Sequence, residues 1–150
     1  MGKNIVHCGG AGTGQVSKSC NNLILGIHMI AVCEGLVLGE KLGIDPKVLT
    51  NIISTSTGNC WSINTNNPRP GVLENAPSSN NYEGGFGTSL IKKDLSIVLD
   101  SAAEIDLDLK FGSKAIQYYH ELERQGYGKK DFGIVYRYVS EFKKSQEKKD

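Results

Sequence analysis

Lys18 and Asn22 stand four residues apart at the head of a long apolar run. On a helix that spacing puts both side chains on one face, close to the helix start. An ammonium beside a carboxamide can grip a hydroxyl or a carboxylate, and the lysine can exchange a proton with it. The positive end of the helix dipole disfavours a cation there, which suits a partly buried lysine to acid–base work. A second group with chemistry is Lys92-Lys93-Asp94-Leu95, preceded by Gly84-Gly85-Phe86-Gly87. Each group also has a plainer reading, a solvated lysine at a helix start, and residue types alone do not choose.

The glycine run Gly9-Gly10-Ala11-Gly12-Thr13-Gly14 that leads into this face invites a phosphate-binding reading, and its spacing refuses it. A dinucleotide fingerprint needs glycines at i, i+2 and i+5. From Gly10 the third position is Gln15, and from Gly9 the second is Ala11. A P-loop counted from Gly9 reaches Gly14 but is followed by Gln15, not lysine. What remains is a turn that lets backbone or ligand approach a helix start closely. His7, His28 and His120 share no spacing of a triad or a metal site, and Trp61 reads as a packing residue. Cys8, Cys20, Cys33 and Cys60 show no CxxC pairing, so they read as free thiols and no metal is expected.

The elements that must position these groups are helical. Gly14 to about Leu42 reads as one long helix stopped by Gly43, with Gly26, Gly35 and Gly39 inside it. Each interior glycine costs up to about 1 kcal/mol relative to alanine, so close neighbours are expected on them. The apolarity of residues 23–38 on nearly every face predicts that other helices wrap this one, or a second copy of it. Asp45-Pro46 caps a helix to Ser56, and residues 60–63 form a short further turn. Residues 64–87 are rich in Asn, Pro, Ser and Gly and read as a long irregular loop, functional or mobile. Helical periodicity returns over about 88–105, 110–125 and 130–144, before a charged tail at 144–150 that frays. Only Lys3–Cys8 reads as a strand, and it finds no partner strand downstream. An orphan strand points to a sheet in another domain, so Met1 reads as internal or as a cloning start.

At 150 residues with net charge +1 the chain fits a single domain, without the basic face that nucleic acid needs. No signal peptide is visible at the start. The apolar run 23–38 is too short for a membrane span of about 20 residues and holds His28 and Glu34, so no membrane is expected.

Taken together, Gly12-Thr13-Gly14-Gln15 with Lys18 and Asn21-Asn22 resembles the catalytic segment of the β-hydroxyacid dehydrogenases. Lys93-Asp94-Leu95 after Gly85-Phe86 resembles the second signature of that family. Residues 58–62, 67–72 and 126–132 extend the resemblance over about residues 1–143. The resemblance implies an all-α domain like the C-terminal domain of 6-phosphogluconate dehydrogenase, a helical bundle on one long N-terminal helix. Residues 1–10 would be the last strand and linker of an absent N-terminal Rossmann domain, and 11–143 the helical substrate and dimerisation domain. It implies NAD as cofactor, a short hydroxyacid as substrate in branched-chain amino-acid breakdown, and a homodimer or homotetramer. In a eukaryote the place would be the mitochondrial matrix, otherwise the cytoplasm. By similarity Lys18 is catalytic, Asn22 and Gly14 hold substrate, and Lys93, Phe86 and Asp94 lie on the cofactor side. The fragment alone would be inactive. Two alternatives stay open: another family member acting on tartronate semialdehyde or a related acid, and a non-catalytic helical oligomerisation module.

Overall fold

The computed structural model describes residues 7–141. Its architecture is all-α, with α1 (Thr13–Lys41), α2 (Pro46–Ser54), α3 (Trp61–Asn64), α4 (Thr88–Ala103), α5 (Lys110–Leu122) and α6 (Val135–Glu141). Short 3₁₀ turns cover Pro77–Asn80 and Phe132–Ile134, and a wide turn over Glu123–Tyr127 bends at Gly126. The expected strand over 3–8 begins outside the described residues, and His7 and Cys8 are not in a strand. The tail at 144–150 also lies outside them.

The central helix α1 starts where the glycines permit it. Gly9 (φ +108°) and Gly12 (φ +88°) take left-handed backbone that L-residues avoid, and Gly12 caps the helix without a side chain. Every other helix packs on α1. Met29, Cys33 and Leu36 on α1 are fully buried with Ile91 and Leu95 of α4, Tyr119 of α5, and Phe132, Ile134 and Val135 near the C-terminus. The Tyr119 hydroxyl donates to the Gly26 carbonyl at 2.7 Å, and burial pushes its acidity well below that of a free phenol. The whole of α1 is long and apolar enough to cross a bilayer by length and composition, which the shorter 23–38 run did not suggest; in this structure it is the helix around which the bundle packs.

Two of the three interior glycines have the expected neighbours. A side chain at Gly26 would press on Leu95 at 3.2 Å, and one at Gly39 would collide with Leu49. Gly35 faces open space, and Ile24 and Leu38 on the same helix are more than half exposed. Helices of this chain therefore leave one face of α1 uncovered, the face on which the second copy remains the expected neighbour.

The long loop is ordered by buried amides rather than left free. Asn66 and Asn67 are buried; Asn67 donates to the Ile63 carbonyl and the Thr50 hydroxyl, and Ser78 donates to the Asn67 carbonyl. The Tyr82 hydroxyl donates to the Pro68 carbonyl at 2.8 Å. The last helix starts later than expected, at Val135, because Phe132–Ile134 tighten into a 3₁₀ turn capped by the Asp131 carboxylate. Gly85 sits at φ +70°, where a Cβ would collide with Asp131 and come within 2.7 Å of Pro77. Gly85→Ala should therefore destabilise the domain by about 1–3 kcal/mol, through backbone strain and overpacking. Thermal unfolding checks this; an unchanged midpoint would mean that the loop relaxes freely.

Candidate functional site

The first turns of α1 and the middle of α4 build one cleft of about 380 Å³, lined by Gln15, Lys18, Ser19, Asn22, Lys93, Asp94 and Ile97. Both lysines are the sixth residue of their helix, counted from Thr13 and from Thr88. The two helices are fastened at the cleft by Asn22 Nδ2, which donates to Asp94 Oδ2 at 2.7 Å across 72 residues of chain. Asn21 Nδ2 donates to Asn22 Oδ1 at 3.3 Å, so the buried amide is oriented from both sides. A carboxamide has four hydrogen-bonding positions, which leaves one N–H and one lone pair for a bound molecule.

Lys93 Nζ lies 3.5 Å from Asp94 Oδ1, and the Lys93 side chain is largely exposed while that of Asp94 is not. Its neighbour Lys92 points elsewhere and pairs with Glu123, holding that carboxyl below the usual range through the hydrogen bond. Of the two adjacent lysines only Lys93 lines the cleft. Lys18 is exposed, and among the described residues nothing accepts a hydrogen bond from it. The burial expected for this lysine does not come from the described residues.

The cleft thus gathers Lys18, Asn22, Lys93 and Asp94. Gly14 lies in the first turn of α1, one turn before Lys18, and does not line it. Phe86 does not line it either: its ring stands edge-on to Phe132, with centroids 5.8 Å apart. Trp61, read as a core or loop-packing residue, is half exposed. The residues not anticipated are Gln15, Ser19 and Ile97. Gln15 and Ser19 could have been read from the same helix face, since each lies three residues before Lys18 and Asn22 respectively. Among the described residues no three His, Cys, Asp or Glu side chains gather as a metal site.

Two cations and a fixed amide suit a small anion bearing a hydroxyl. Residues 12–139 match the family model described as "NAD-binding of NADP-dependent 3-hydroxyisobutyrate dehydrogenase", and the chain belongs to that family. It is 50% identical over 141 residues to mitochondrial 3-hydroxyisobutyrate dehydrogenase of Bos taurus, covering 94% of this chain and 42% of that protein. A probable mitochondrial 3-hydroxyisobutyrate dehydrogenase of Dictyostelium discoideum is 53% identical over 146 residues, covering 97% of this chain and 46% of that one. The solved structure of Mycobacterium tuberculosis 3-hydroxyisobutyrate dehydrogenase with L-serine matches with TM-score 0.87 at 38% identity, covering 91% of this chain and 46% of that chain. The chain spans less than half the length of these relatives.

Proposed function

We propose that this chain is the catalytic-lysine half of an NAD-dependent 3-hydroxyisobutyrate dehydrogenase, oxidising 3-hydroxyisobutyrate to methylmalonate semialdehyde in valine breakdown. The observation that carries the reading is the convergence of Lys18 and Asn22 on α1 with Lys93 and Asp94 on α4 at one cleft. In this reading the Lys18 amine takes the hydroxyl proton of the substrate. Asn22, held by Asp94, presents its spare N–H and lone pair to the substrate, with the Gly14 backbone nearby. Lys93, Asp94 and the Phe86 segment form the side against which the cofactor lies; NAD, when bound, accepts the hydride leaving the substrate carbon. The choice between NAD and NADP belongs to residues beyond this chain. Closure by an N-terminal Rossmann domain would exclude water and supply the burial that Lys18 needs as a proton acceptor.

The test compares two proteins. Full-length enzyme should reduce NAD with 3-hydroxyisobutyrate, whereas residues 1–150 alone should give no measurable turnover and bind NAD poorly. Turnover by the fragment would sink the half-site reading. The mycobacterial relative was described with L-serine, itself a 3-hydroxyacid, which favours a broader preference as the second reading. A substrate panel including L-serine and tartronate semialdehyde separates the two. The names of the bovine and slime-mould relatives support a mitochondrial place in a eukaryotic cell.

The open face of α1 supports a homodimer formed by this domain, with a homotetramer as its extension. Ile24 and Leu38 lie exposed on either side of Gly35, around which there is space for a second copy. Sedimentation at micromolar concentration should return at least a dimer; a monomer would count against it.

A further inference from the structure

Asp131 is 1% exposed, and its carboxylate is surrounded by neutral donors from three separate parts of the chain. Oδ2 accepts from the Phe86 backbone N–H at 2.9 Å, and Oδ1 from the Gly133 N–H at 2.9 Å. Asn66 Nδ2 donates to both oxygens, at 3.2 and 3.3 Å. No cation pairs with it among the described residues. Burial raises its pKa above the ordinary carboxylate value, against the pull of these hydrogen bonds. A residue needed only to cap the turn at 132–134 would require the Gly133 contact and nothing more.

The surrounding backbone explains what the other contacts do. The helix α4 has no side-chain N-cap, because Gly87 stands at that position. Its first amides are met instead by the segment carrying Asp131: Thr88 N–H donates to the Lys130 carbonyl at 2.8 Å and Ser89 N–H to the Gly128 carbonyl at 2.9 Å. Phe132 N–H donates to the Phe86 carbonyl and Asp131 N–H to the Tyr82 carbonyl, both at 2.8 Å. Gly85 leaves the room the carboxylate occupies. One buried acid therefore ties down Phe86, two residues before the start of α4, and α4 carries Lys93 and Asp94 at its sixth and seventh positions.

We propose that Asp131 is a positioning residue for the site: through the Phe86 amide and the 128–131 segment it sets the start of α4, and so the place of Lys93 and Asp94 against the cofactor. This rests on the dehydrogenase reading above. An asparagine has the same shape but only one acceptor oxygen, so it cannot serve both the Phe86 and the Gly133 N–H groups. One buried donor is then left unpaired.

In the full-length protein, Asp131→Asn should weaken NADH binding, followed by fluorescence titration, about tenfold, with a matching rise in KM for the dinucleotide and less than about a threefold change in kcat. Amide hydrogen exchange should quicken over residues 85–90 while residues 112–122 keep their protection. Unchanged NADH affinity, or unchanged exchange over 85–90, would overturn the proposal. Should Asp131→Asn lose protection throughout the domain, Asn66→Ala decides, since it removes one donor and leaves the carboxylate in place. A weaker affinity with faster exchange confined to 85–90 then supports the proposal, and wild-type behaviour refutes it. Failure of the dehydrogenase reading looks different: the unmodified full-length protein would bind no NADH and oxidise no hydroxyacid.

Discussion

Lys18→Ala in the full-length enzyme should lower kcat by about 10²–10⁴-fold, the usual contribution of a general acid–base group. That range corresponds to about 3–5 kcal/mol of transition-state stabilisation. The expectation follows from the position of the side chain, which lines the cleft and spends its donors on no described neighbour. Because the residue is exposed on the first turns of α1, its loss should leave thermal stability nearly unchanged. A change mainly in KM would make Lys18 a binding group, and wild-type activity would favour a non-catalytic helical module.

Phe132→Ala should cost about 3–5 kcal/mol of folding stability, the range for removing a fully buried aromatic ring. The ring is 0% exposed, edge-on to Phe86 and tilted against Tyr119 with centroids 6.3 Å apart. Against a total stability of about 5–15 kcal/mol for an ordinary domain, that is a large share. Urea unfolding of the domain is the measurement, read as a lower midpoint at unchanged slope. A loss below about 1 kcal/mol would mean that neighbouring side chains refill the space.

Much of the helical skeleton was legible because its signals are local. Asp45 does cap α2, accepting from the Lys47 and Val48 amides, with Pro46 in the first turn. Gly43 follows α1, and Gly126 is the left-handed residue of the wide turn after α5. The pairing of Lys18 with Asn22 needed only helix geometry. The Asn22–Asp94 bond joins residues 72 apart, and no periodicity announces it; only the family resemblance pointed to both ends. Asn66 and Asn67 misled for the opposite reason. Asparagine is a turn former by composition, and nothing local reveals that these two are buried and hydrogen-bonded. Asp131 followed Lys129-Lys130 and read as part of a helix start, since burial of a charge depends on residues 45 and 65 positions away. The open face of α1 could not be read as open, because an apolar helix looks alike whether its cover is another helix of the chain or a second molecule.

The borrowed capping of α4 has a consequence for the order of assembly. A helix closed by its own side chain can form as soon as its residues are synthesised, but the first amides of α4 wait for carbonyls at 128 and 130. That closure spans about forty residues and carries the entropy cost of a loop of that length. During vectorial synthesis α1 would present Lys18 and Asn22 early, and α4 would settle into its final register only after residue 131 had emerged. The two halves of the cleft would mature at different times, and a chain truncated before residue 128 would keep every cleft-lining residue yet lack the groups that fix half of them in place.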